Sequence, residues 1–431
     1  MANLHPLLGL YRLLIPVTVS IMPVAAPFSE KLRKGLSGRR GFWDRVAASR
    51  ERLQRCVWIH VTSVGEYEQA RPVITALKER HGDGLPIAVT HFSPSGLEYA
   101  QKRPCADYHD YLPFDRLSNM RRLVNAWDPR LLIFIKFDYW PNQVRAAHGQ
   151  SVPIVLLAGT LQPRSARLWA PARSLFRNLF TRFDHLGVCS EEDRDRFRHQ
   201  IGVSCPITVT GDTRAEQVIL RYEAAETSQE TRQLQATGRS FFILGSTWPP
   251  DERLWLPVLP ELLHRFPDLN VILAPHEPRP DRLAGLEAEL ARQRIGTIRL
   301  SRARLGEQSL PADVRCILVD TVGILADIYR AGHLAYVGGS FTTGVHNTME
   351  PAIAAMPVLF GPIIQNANEA GHLERLGAGY VVKNSAAALE RAVSLLTDPD
   401  DLARHGRLAR QFVLDQRGAT EKSLAVLDPY L

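Results

Sequence analysis

The first residues that could do chemistry are Thr62-Ser63-Val64-Gly65-Glu66, which follow a short apolar run. A small turn containing Gly65 lets a ligand approach backbone amides at the start of a helix. Glu66 would lie in the first helical turn, where a carboxylate suits a general base. A glutamate there also complements the helix dipole, and spacing alone favours that structural role. Glu68 has no stronger claim to the chemistry.

The second group is Lys136-Phe137-Asp138-Tyr139-Trp140, directly after the most apolar run of the chain. A lysine, an acid and two large aromatic residues at a strand end are not typical of a protein core. Lys136 can hold the anionic group of a sugar acid or a phosphate. The alternative is a surface pair of Lys136 and Asp138 with aromatic packing around it. The composition favours a functional role.

Two further groups follow predicted strands in the second half of the chain. Gly245-Ser246-Thr247-Trp248 combines glycine and hydroxyl residues before a helix, which can cradle an anion, cap the helix, or do both. His276 and Arg279 can contact a base, a ribose or a phosphate, although a solvated loop is the alternative. His276 has no partner histidine at metal-ligand spacing, so the sequence predicts no metal site.

The strongest pattern is Gly338-Gly339-Ser340, followed by His346-Asn347-Thr348-Met349-Glu350-Pro351. Paired glycines after a strand let a phosphate approach the backbone. Asn347 and Glu350 share a face of a predicted helix, where a carboxylate can accept both hydroxyls of a ribose. The same two residues resemble a capping box, but a cap leaves the Gly-Gly-Ser turn unexplained. A weaker polar loop follows at Gly361-Pro362 and Asn366-Ala367-Asn368-Glu369.

These groups need elements that bring strand ends together. Short apolar runs alternate with segments of helical spacing, which predicts right-handed βαβ units and parallel sheets. Two such series predict an α/β fold with two doubly wound domains, whose ligands bind beyond the carboxyl ends of the strands. The predicted strands are 57–62, 86–90, 131–135, 153–158, 240–244, 270–274, 316–319, 334–337 and 357–360. The predicted helices are 67–80, 95–103, 251–266 and 283–294.

The composition is that of an ordinary folded protein: 431 residues, 45% hydrophobic and 23% charged. A formal net charge of +7 suits nucleic acid, an anionic membrane surface or an acidic substrate, or has no specific role. The basic residues are dispersed and no recognition motif is present, so we expect no nucleic-acid partner. The five cysteines include no CxxC pair, which argues against a disulfide framework or a zinc site and indicates reduced thiols.

The N-terminal segment 7–28 is apolar apart from Arg12, and a basic stretch follows it. Its uncharged part is shorter than the roughly 20 residues that span a bilayer, and Pro16 and Pro23 interrupt it. A signal peptide fits poorly because the basic residues follow the apolar run. A marginal span, an interfacial anchor and a helix packed on the protein itself remain open. We expect membrane attachment, with the basic stretch on anionic lipids.

A polar segment, 214–238, lies near the expected boundary between the two halves. We therefore predict an N-terminal anchor and basic segment over 1–44, an N-terminal Rossmann-like domain over 45–213, and a C-terminal Rossmann-like domain with C-terminal helices over 214–431.

Taken in order, the motifs SVGE, an acid-aromatic-Trp segment, GST, a PH loop, GGS and HNxxEP resemble those of the Kdo transferases of lipopolysaccharide synthesis. The resemblance covers nearly the whole chain. It implies a GT-B glycosyltransferase fold, in which two Rossmann-like domains face a cleft, with no metal and no other cofactor. It also implies CMP-Kdo (Kdo is 3-deoxy-D-manno-octulosonic acid) as donor and the lipid A precursor lipid IVA as acceptor. The implied location is the cytoplasmic face of the inner membrane.

The resemblance further implies roles for individual residues. Glu66 corresponds to the proposed general base. The residues assigned to the acceptor or the sugar acid are Ser63, Gly65, Lys136 and Asp138. The residues assigned to the nucleotide are Ser246, Thr247, His276, Arg279, Gly339, Ser340, Asn347 and Glu350.

Two departures from the family pattern limit this transfer. Many members have an acid at the position of Lys136. In having a lysine there, this chain resembles a Bacteroidota-type variant of the family. The role of the acid therefore does not carry over to this chain. Glu277 follows His276 where many members have a PRHP loop, so the usual arginine is absent and Arg279 would have to replace it. Two other functions stay open: a GT-B transferase that uses a different nucleotide sugar, and a non-catalytic protein that binds one.

Overall fold

The computed structural model describes residues 5–136, 138–163, 165–303, 310–311, 313–342, 344–365 and 367–431. Phe137 and Asn366, which belong to motifs named above, lie outside these residues. The chain forms two compact units. The first comprises Met1–Glu216 with Gly418–Leu431, and the second comprises Gln217–Arg417.

The first unit is built around a parallel sheet of seven strands in the order β3-β2-β1-β4-β5-β6-β7. Its strands are β1 Val57–Val61, β2 Ile87–His91, β3 Tyr108–Tyr111, β4 Leu131–Ile135, β5 Ile154–Gly159, β6 His185–Val188 and β7 Ile207–Val209. Its helices are α1 Pro6–Ala25, α2 Glu30–Gly38, α3 Phe42–Ser49, α4 Val64–His81, α5 Pro94–Lys102, α6 Leu117–Trp127, α7 Pro141–His148, α8 Ala170–Phe180 and α9 Glu191–Asp195. Helix α10, Thr213–Ala224, runs across the division between the units.

The central strands of this sheet are buried on both faces, which explains their continuous apolar sequences. Every residue of β4 is buried. Along β1, Val57 and Ile59 belong to one core and Trp58 to the other, because successive side chains of a strand point to opposite faces. Chain segments that end at the carboxyl edge of this sheet therefore lie beside one another.

The second unit contains a second parallel sheet of seven strands, in the order β10-β11-β9-β8-β12-β13-β14. Its strands are β8 Ser240–Thr247, β9 Leu269–Pro275, β10 Gly296–Arg299, β11 Val314–Leu318, β12 Leu334–Val337, β13 Val358–Phe360 and β14 Gly379–Val381. Its helices are α11 Gln229–Ala236, α12 Pro249–Trp255, α13 Leu259–Arg265, α14 Pro280–Arg292, α15 Leu325–Ile328, α16 Met349–Ile353, α17 Asn368–Arg375, α18 Ser385–Thr397 and α19 Pro399–Leu414.

The predicted strands are all present, and their bounds agree with the structure to within three residues. The predicted helix over 251–266 is wrong as a single element. It is divided into α12 and α13 by a short 3₁₀ turn over Leu256–Val258. The reason is that Pro257 and Pro260 have no backbone N–H and cannot continue an α-helical ladder.

The C-terminal part of the chain corrects the predicted domain division. Helix α20, Ala419–Leu427, belongs to the first unit rather than to the second. Its Leu424 and Leu427 are fully buried in the core on the α4 side of the first sheet. An ion pair between Arg80 and Glu421 joins α4 to α20 at the surface.

Helix α1 differs from every other helix of the first unit because its apolar residues face outward. Pro16 and Pro23 lie inside it without ending it, contrary to the predicted interruption, and only Leu8 is buried. The segment Pro6–Phe28 is long and apolar enough to cross a membrane, with a mean hydropathy of 1.8, and 6% of its most apolar stretch is buried. This exposure disfavours the alternative of a helix packed on the protein itself.

Polar contacts fix α1 to the body of the first unit: Arg116 donates to the backbone oxygen of Pro16 (3.1 Å) and to the hydroxyl of Ser20 (3.3 Å), and Tyr11 contacts Asp115. The hydroxyl of Tyr11 donates to the carboxylate of Asp115 (2.8 Å), which also accepts the backbone amides of Asn142 (3.0 Å) and Gln143 (2.9 Å). These two amides belong to the first turn of α7, where the helix supplies no acceptor of its own. Asp115 therefore connects the apolar N-terminal helix to the helix that follows Trp140.

Candidate functional site

The residues between β1 and α4 form the capping box that their spacing allows. Ser63 caps α4: its hydroxyl accepts the amide of Glu66 (3.4 Å). In return the carboxylate of Glu66 accepts the amides of Thr62 and, at 3.3 Å, Ser63. A Cβ added to Gly65 would meet no atom closer than 3.9 Å, so open space lies above the first turn. The structural role considered for Glu66 is therefore present.

The cap leaves half of the Glu66 carboxylate available. Both backbone amides bind the same oxygen, Oε2. No donor within the described part of the chain reaches Oε1, and this oxygen is not sealed from solvent. The side chain as a whole is 3% exposed. Burial, and then the negative charge of Asp138, raise the pKa of Glu66 to about 7. A carboxylate of this kind can both cap a helix and exchange a proton near neutral pH.

Lys136 and Asp138 are brought close to Glu66 at the carboxyl edge of the first sheet. Their charges act on it in opposite directions, since Asp138 raises the pKa of Glu66 and Lys136 lowers it. Lys136 has a φ of 70°, a left-handed conformation that is uncommon for a residue with a side chain. The chain turns sharply there, directly after β4, which places both side chains beyond the strand end.

Trp140 is held in place by a buried hydrogen-bond network whose other members lie outside the sequence motifs. The indole of Trp140 donates to His60 Nε2 (3.0 Å), and His60 Nδ1 lies 3.0 Å from the hydroxyl of Thr90. Trp58 donates to the same hydroxyl (2.9 Å). Burial lowers the pKa of His60 to about 3, so the ring is neutral and, because Nε2 accepts, the proton is assigned to Nδ1. The one sequence feature that indicates this network is His60, a histidine within an otherwise apolar strand.

In the second unit, Asp251 joins two of the predicted phosphate-binding turns. Its carboxylate accepts the amides of Trp248 (2.8 Å) and Gly339 (3.0 Å) and the hydroxyl of Tyr336 (2.5 Å). Asp251 is 1% exposed. The turn after β8 and the turn after β12 are therefore held together by one buried acid. An acid in the first turn of a helix is common, so the sequence did not single it out.

Ser246 and Thr247 are the last two residues of β8, where the strand register is irregular, and do not lie beyond the strand as predicted. The hydroxyl groups here and at Ser340 serve mainly to shape the chain. Thr247 donates to Glu252 (3.0 Å), and Ser340 accepts the amide of Gly361 (2.6 Å). Ser246 has a φ of 52°, and Gly339 has a φ of 95°. A Cβ at Gly339 would come within 2.5 Å of the Gly344 carbonyl oxygen, so only glycine fits.

His276 lies in an aromatic stack beside these turns. Its ring is 4.8 Å from that of Trp248 and 4.3 Å from that of His346. Trp248 also donates to Nε2 of His346 (2.8 Å). Burial lowers the pKa of both histidines, and that of His346 falls to about 4. The stack is thus uncharged at neutral pH and offers a flat ring face, with His276 exposed.

Asn347 and Glu350 come together at the start of α16. The amide of Asn347 donates to Glu350 Oε1 (3.1 Å), and its oxygen accepts the amide of Met349 (3.1 Å). Glu350 also lines a pocket of about 170 Å³ and lies 3.9 Å from Arg221. The other residues that line the pocket are Val218, Tyr222, Ala225, Gly323, Ala326, Asp327, Arg330 and Ile353. Asn347 and Glu350 therefore pair beside a pocket, but the predicted capping box is wrong, because the N-cap of α16 is Thr348 and its side chain makes no cap bond.

Arg279 is the predicted nucleotide-binding residue whose side chain makes no described contact with the other residues of that set. Its side chain is 64% exposed and faces Glu277 (4.0 Å) and Asp281 (3.6 Å). The carboxylates of Glu277 and Asp281 both attract the guanidinium group of Arg279. Within the described ranges, no group of three or more His, Cys, Asp or Glu side chains is arranged to hold a metal ion.

Comparison with known proteins gives consistent results for both halves of the chain. A family model described as 3-deoxy-D-manno-octulosonic-acid transferase (kdotransferase) matches residues 34–217. The chain is 28% identical over 424 residues to the 3-deoxy-D-manno-octulosonic acid transferase of Haemophilus influenzae, covering 96% of each sequence. It is 29% identical over 391 residues to the one of Bordetella pertussis, covering 87% of each.

Among solved structures, a UDP-N-acetylglucosamine 2-epimerase matches with a TM-score of 0.58 and 14% identity, covering 88% of this chain and 96% of that one. This likeness concerns the fold alone. Together with the two parallel seven-stranded sheets, it confirms the predicted α/β fold of the GT-B class.

Proposed function

Because this chain belongs to the family of Kdo transferases, we propose that it transfers Kdo from CMP-Kdo to lipid IVA and releases CMP. Relatives described as 3-deoxy-D-manno-octulosonic acid transferases align with almost the whole chain, which supports a glycosyltransferase of lipopolysaccharide synthesis. The choice of lipid IVA as acceptor is supported by the outward-facing apolar helix α1, which suits an enzyme that works on a membrane lipid.

The observation that carries the proposal is the state of Glu66. Its Oε2 is held by two backbone amides, its Oε1 is open, and its pKa is raised to about 7 by burial and by Asp138. A general base works best when its pKa lies near the pH of the reaction. An ordinary glutamate of pKa near 4.3 would be a much weaker base. The capping bonds fix the carboxylate in one orientation at no cost to its free oxygen.

In the proposed step, Glu66 Oε1 accepts the proton of the acceptor hydroxyl. The hydroxyl oxygen forms a bond to the anomeric carbon of Kdo, while the bond from that carbon to the phosphate oxygen of CMP breaks. The electron pair leaves with CMP, and the proton stays on Glu66. The positive charge of Lys136 and the open amides of the first turn of α4 suit an anionic group of the acceptor or the sugar acid, and Asp138 helps to keep Glu66 basic.

On the donor side, we assign the nucleotide to the turns that Asp251 joins. Ser246, Thr247, Gly339 and Ser340 shape this region. Asp251 engages the amide of Gly339, so the backbone amides of the other three are the ones that suit the phosphate of CMP. Glu350, which lines the adjoining pocket with Asn347 beside it, would accept the ribose hydroxyls. The ring face of His276 suits a nucleobase. We do not assign the exposed Arg279 to the nucleotide, because acids on both sides already engage it.

The proposed location is the cytoplasmic face of the inner membrane, where α1 attaches to anionic lipids. Its exposed apolar residues and the basic segment that follows are the features that support this assignment.

The experiment that tests the proposal is incubation of the full chain with CMP-Kdo and lipid IVA, followed by mass spectrometry of the lipid. An increase by whole Kdo units is expected, and an unchanged lipid mass would refute the assignment. The variant Glu66→Gln should retain the cap, because glutamine fits the same motif, and lose a factor of about 10² to 10⁴ in rate. The matched control is Glu68→Gln, since Glu68 pairs with Arg71 at 3.0 Å and bonds the Tyr99 hydroxyl, and its loss should leave the rate nearly unchanged.

Competition between CMP and UDP for the donor pocket separates the proposal from its closest rival, a transferase that uses another nucleotide sugar. Inhibition by CMP at lower concentration than UDP is expected. A non-catalytic binding protein would instead bind CMP and leave lipid IVA unchanged at every protein concentration.

A further inference from the structure

Four arginines from four different elements of the first unit lie beside α1. They are Arg12 on α1, Arg121 on α6, Arg145 on α7 and Arg182 directly after α8. Burial, together with the charges of Arg12, Arg121 and Arg182, lowers the pKa of Arg145. Like charges repel, so their convergence on one spot costs folding free energy unless an anion binds among them.

The described part of the chain supplies no such anion. None of these four side chains forms an ion pair with a carboxylate among the described residues. Arg182 donates to the backbone and side-chain oxygens of Asn178, which are uncharged. Nη1 of Arg145 is buried and has no hydrogen-bond partner among the described residues. A buried guanidinium N–H without an acceptor is costly, and an anion bound beside it would supply that acceptor.

Three of the arginines line one small pocket between α1, α7 and α8. The residues that line it are Leu8, Arg12, Pro141, Asn142, Arg145, Leu179 and Arg182. Its volume of about 10 Å³ admits a single oxygen-sized group. A phosphate fits these properties, because one of its oxygens can enter while the others stay at the rim and meet the remaining guanidinium groups.

The surroundings of the pocket identify the carrier of that phosphate. Helix α1, which contributes Arg12, exposes Leu13 (73%), Leu14 (54%) and Val17 (55%) to its surroundings. An apolar helix face next to a cluster of arginines matches a membrane interface, where acyl chains and lipid phosphates lie side by side. A phosphate bound here would therefore be attached to a lipid.

We propose that this arginine pocket is a binding site for the phosphate group of an anionic membrane lipid. Asn142, which forms part of its wall, lies in the first turn of α7, only a few residues after Asp138. The site thus deepens the proposed function, because a lipid held there is beside the segment assigned to the acceptor. The lipid-binding site depends on the proposed function only in the choice of lipid IVA as the acceptor.

The test is flotation of the full chain, without CMP-Kdo, with vesicles of phosphatidylcholine alone, with added phosphatidylglycerol, or with added lipid IVA. The double variant Arg145→Gln with Arg182→Gln should lose about 30-fold in partitioning to the anionic vesicles, since each arginine near an anionic surface contributes about 1 kcal/mol. The charge-matched control is Arg50→Gln with Arg52→Gln, two exposed arginines outside the pocket, with a loss of less than about threefold expected.

Each outcome decides the proposal. A loss with lipid IVA only, or with both anionic lipids, supports it and identifies the lipid. Equal binding by the two double variants overturns it, and so does an equal loss on phosphatidylcholine alone. Protection of the wild type against heat by inorganic phosphate, with no difference on vesicles, would show a site for free phosphate and overturn the lipid assignment.

Two further measurements separate this proposal from misfolding and from the proposed function. Without lipid, Arg145→Gln should unfold at a temperature equal to or above that of the wild type, because one of the repelling charges is gone. Glu66→Gln should bind anionic vesicles like the wild type while losing transfer. Loss of transfer with intact vesicle binding therefore concerns Glu66 and leaves the pocket unaffected.

Discussion

Replacement of Glu66 by glutamine should lower the transfer rate by a factor of about 10² to 10⁴ and stabilise the first unit, with a stabilisation that grows as the pH rises. The pKa of Glu66 is about 7 in the folded protein, against about 4.3 for an unperturbed glutamate. Because the folded-state pKa is the higher one, the folded protein binds the proton more tightly than the unfolded chain. The stability that comes from this proton is complete below the unfolded pKa and is lost as the pH rises through about 7.

The expected size follows from the two pKa values. At pH 8 the ionisation of Glu66 destabilises the folded protein by about 3.6 kcal/mol, and at pH 5 by about 1 kcal/mol. Glutamine carries no charge and escapes the cost, while its oxygen can still accept the amides of Thr62 and Ser63. The difference in stability between Glu66→Gln and the wild type should therefore increase by about 2.5 kcal/mol between pH 5 and pH 8.

Hydrogen exchange of the β1 and α4 peptides, followed by mass spectrometry, measures this difference locally. The variant is compared with the wild type at each pH, so the intrinsic pH dependence of exchange cancels. Glu68→Gln on the same helix is the control and should show no such trend. A difference that stays constant between pH 5 and pH 8 would refute the raised pKa and with it the reasoning about the base.

The pH dependence of the rate gives an independent check. Ionised Glu66 is roughly a tenth of the total at pH 6 and about nine tenths at pH 8, so kcat/KM should rise about tenfold over that interval. Asp138→Asn should move this rise to lower pH, because the charge of Asp138 is the second cause of the raised pKa. A rate that is flat between pH 6 and pH 8 would contradict the assignment.

Four other substitutions test other parts of the structure. Glu350→Gln should weaken CMP binding by about 10- to 100-fold, from the loss of charged hydrogen bonds, whereas Arg279→Ala should leave it unchanged; calorimetric titration measures both. Asp251→Asn should lower the melting temperature by several degrees and weaken CMP binding, since both amides bind Oδ2 and would lose the negative charge of their acceptor. Tyr11→Phe removes a hydrogen bond to buried Asp115 and should make α1 faster to cleave in limited proteolysis.

The parts of the fold that the sequence predicted best are those with one dominant physical cause. β4 and β12 were located to the residue, because strands buried on both faces require unbroken apolar runs. The turns after β8 and β12 were found because glycine and hydroxyl residues at strand ends are unusual in a core. The break between α12 and α13 could also have been predicted, since Pro257 and Pro260 both lack the amide that a helix needs.

The remaining features depend on contacts between residues far apart in the chain. Asp251 receives the amide of Gly339, which lies 88 positions further along, and neither residue indicates the other. The pairing of His276 with His346 has the same character. Glu66 is a different case: the capping and catalytic interpretations were both visible, and only the geometry shows that they use different oxygens of one carboxylate.

Helix α20 sets an order for folding during protein synthesis. It follows the whole of the second unit in the chain, yet its Leu424 and Leu427 complete the core of the first. A nascent chain therefore has to emerge from the ribosome through Leu427 before the first unit can close. Until then the apolar side of α4 that α20 covers stays open to water, and the second unit, which needs no residue beyond Arg417, can fold first. The unit that begins synthesis is the one that finishes folding last.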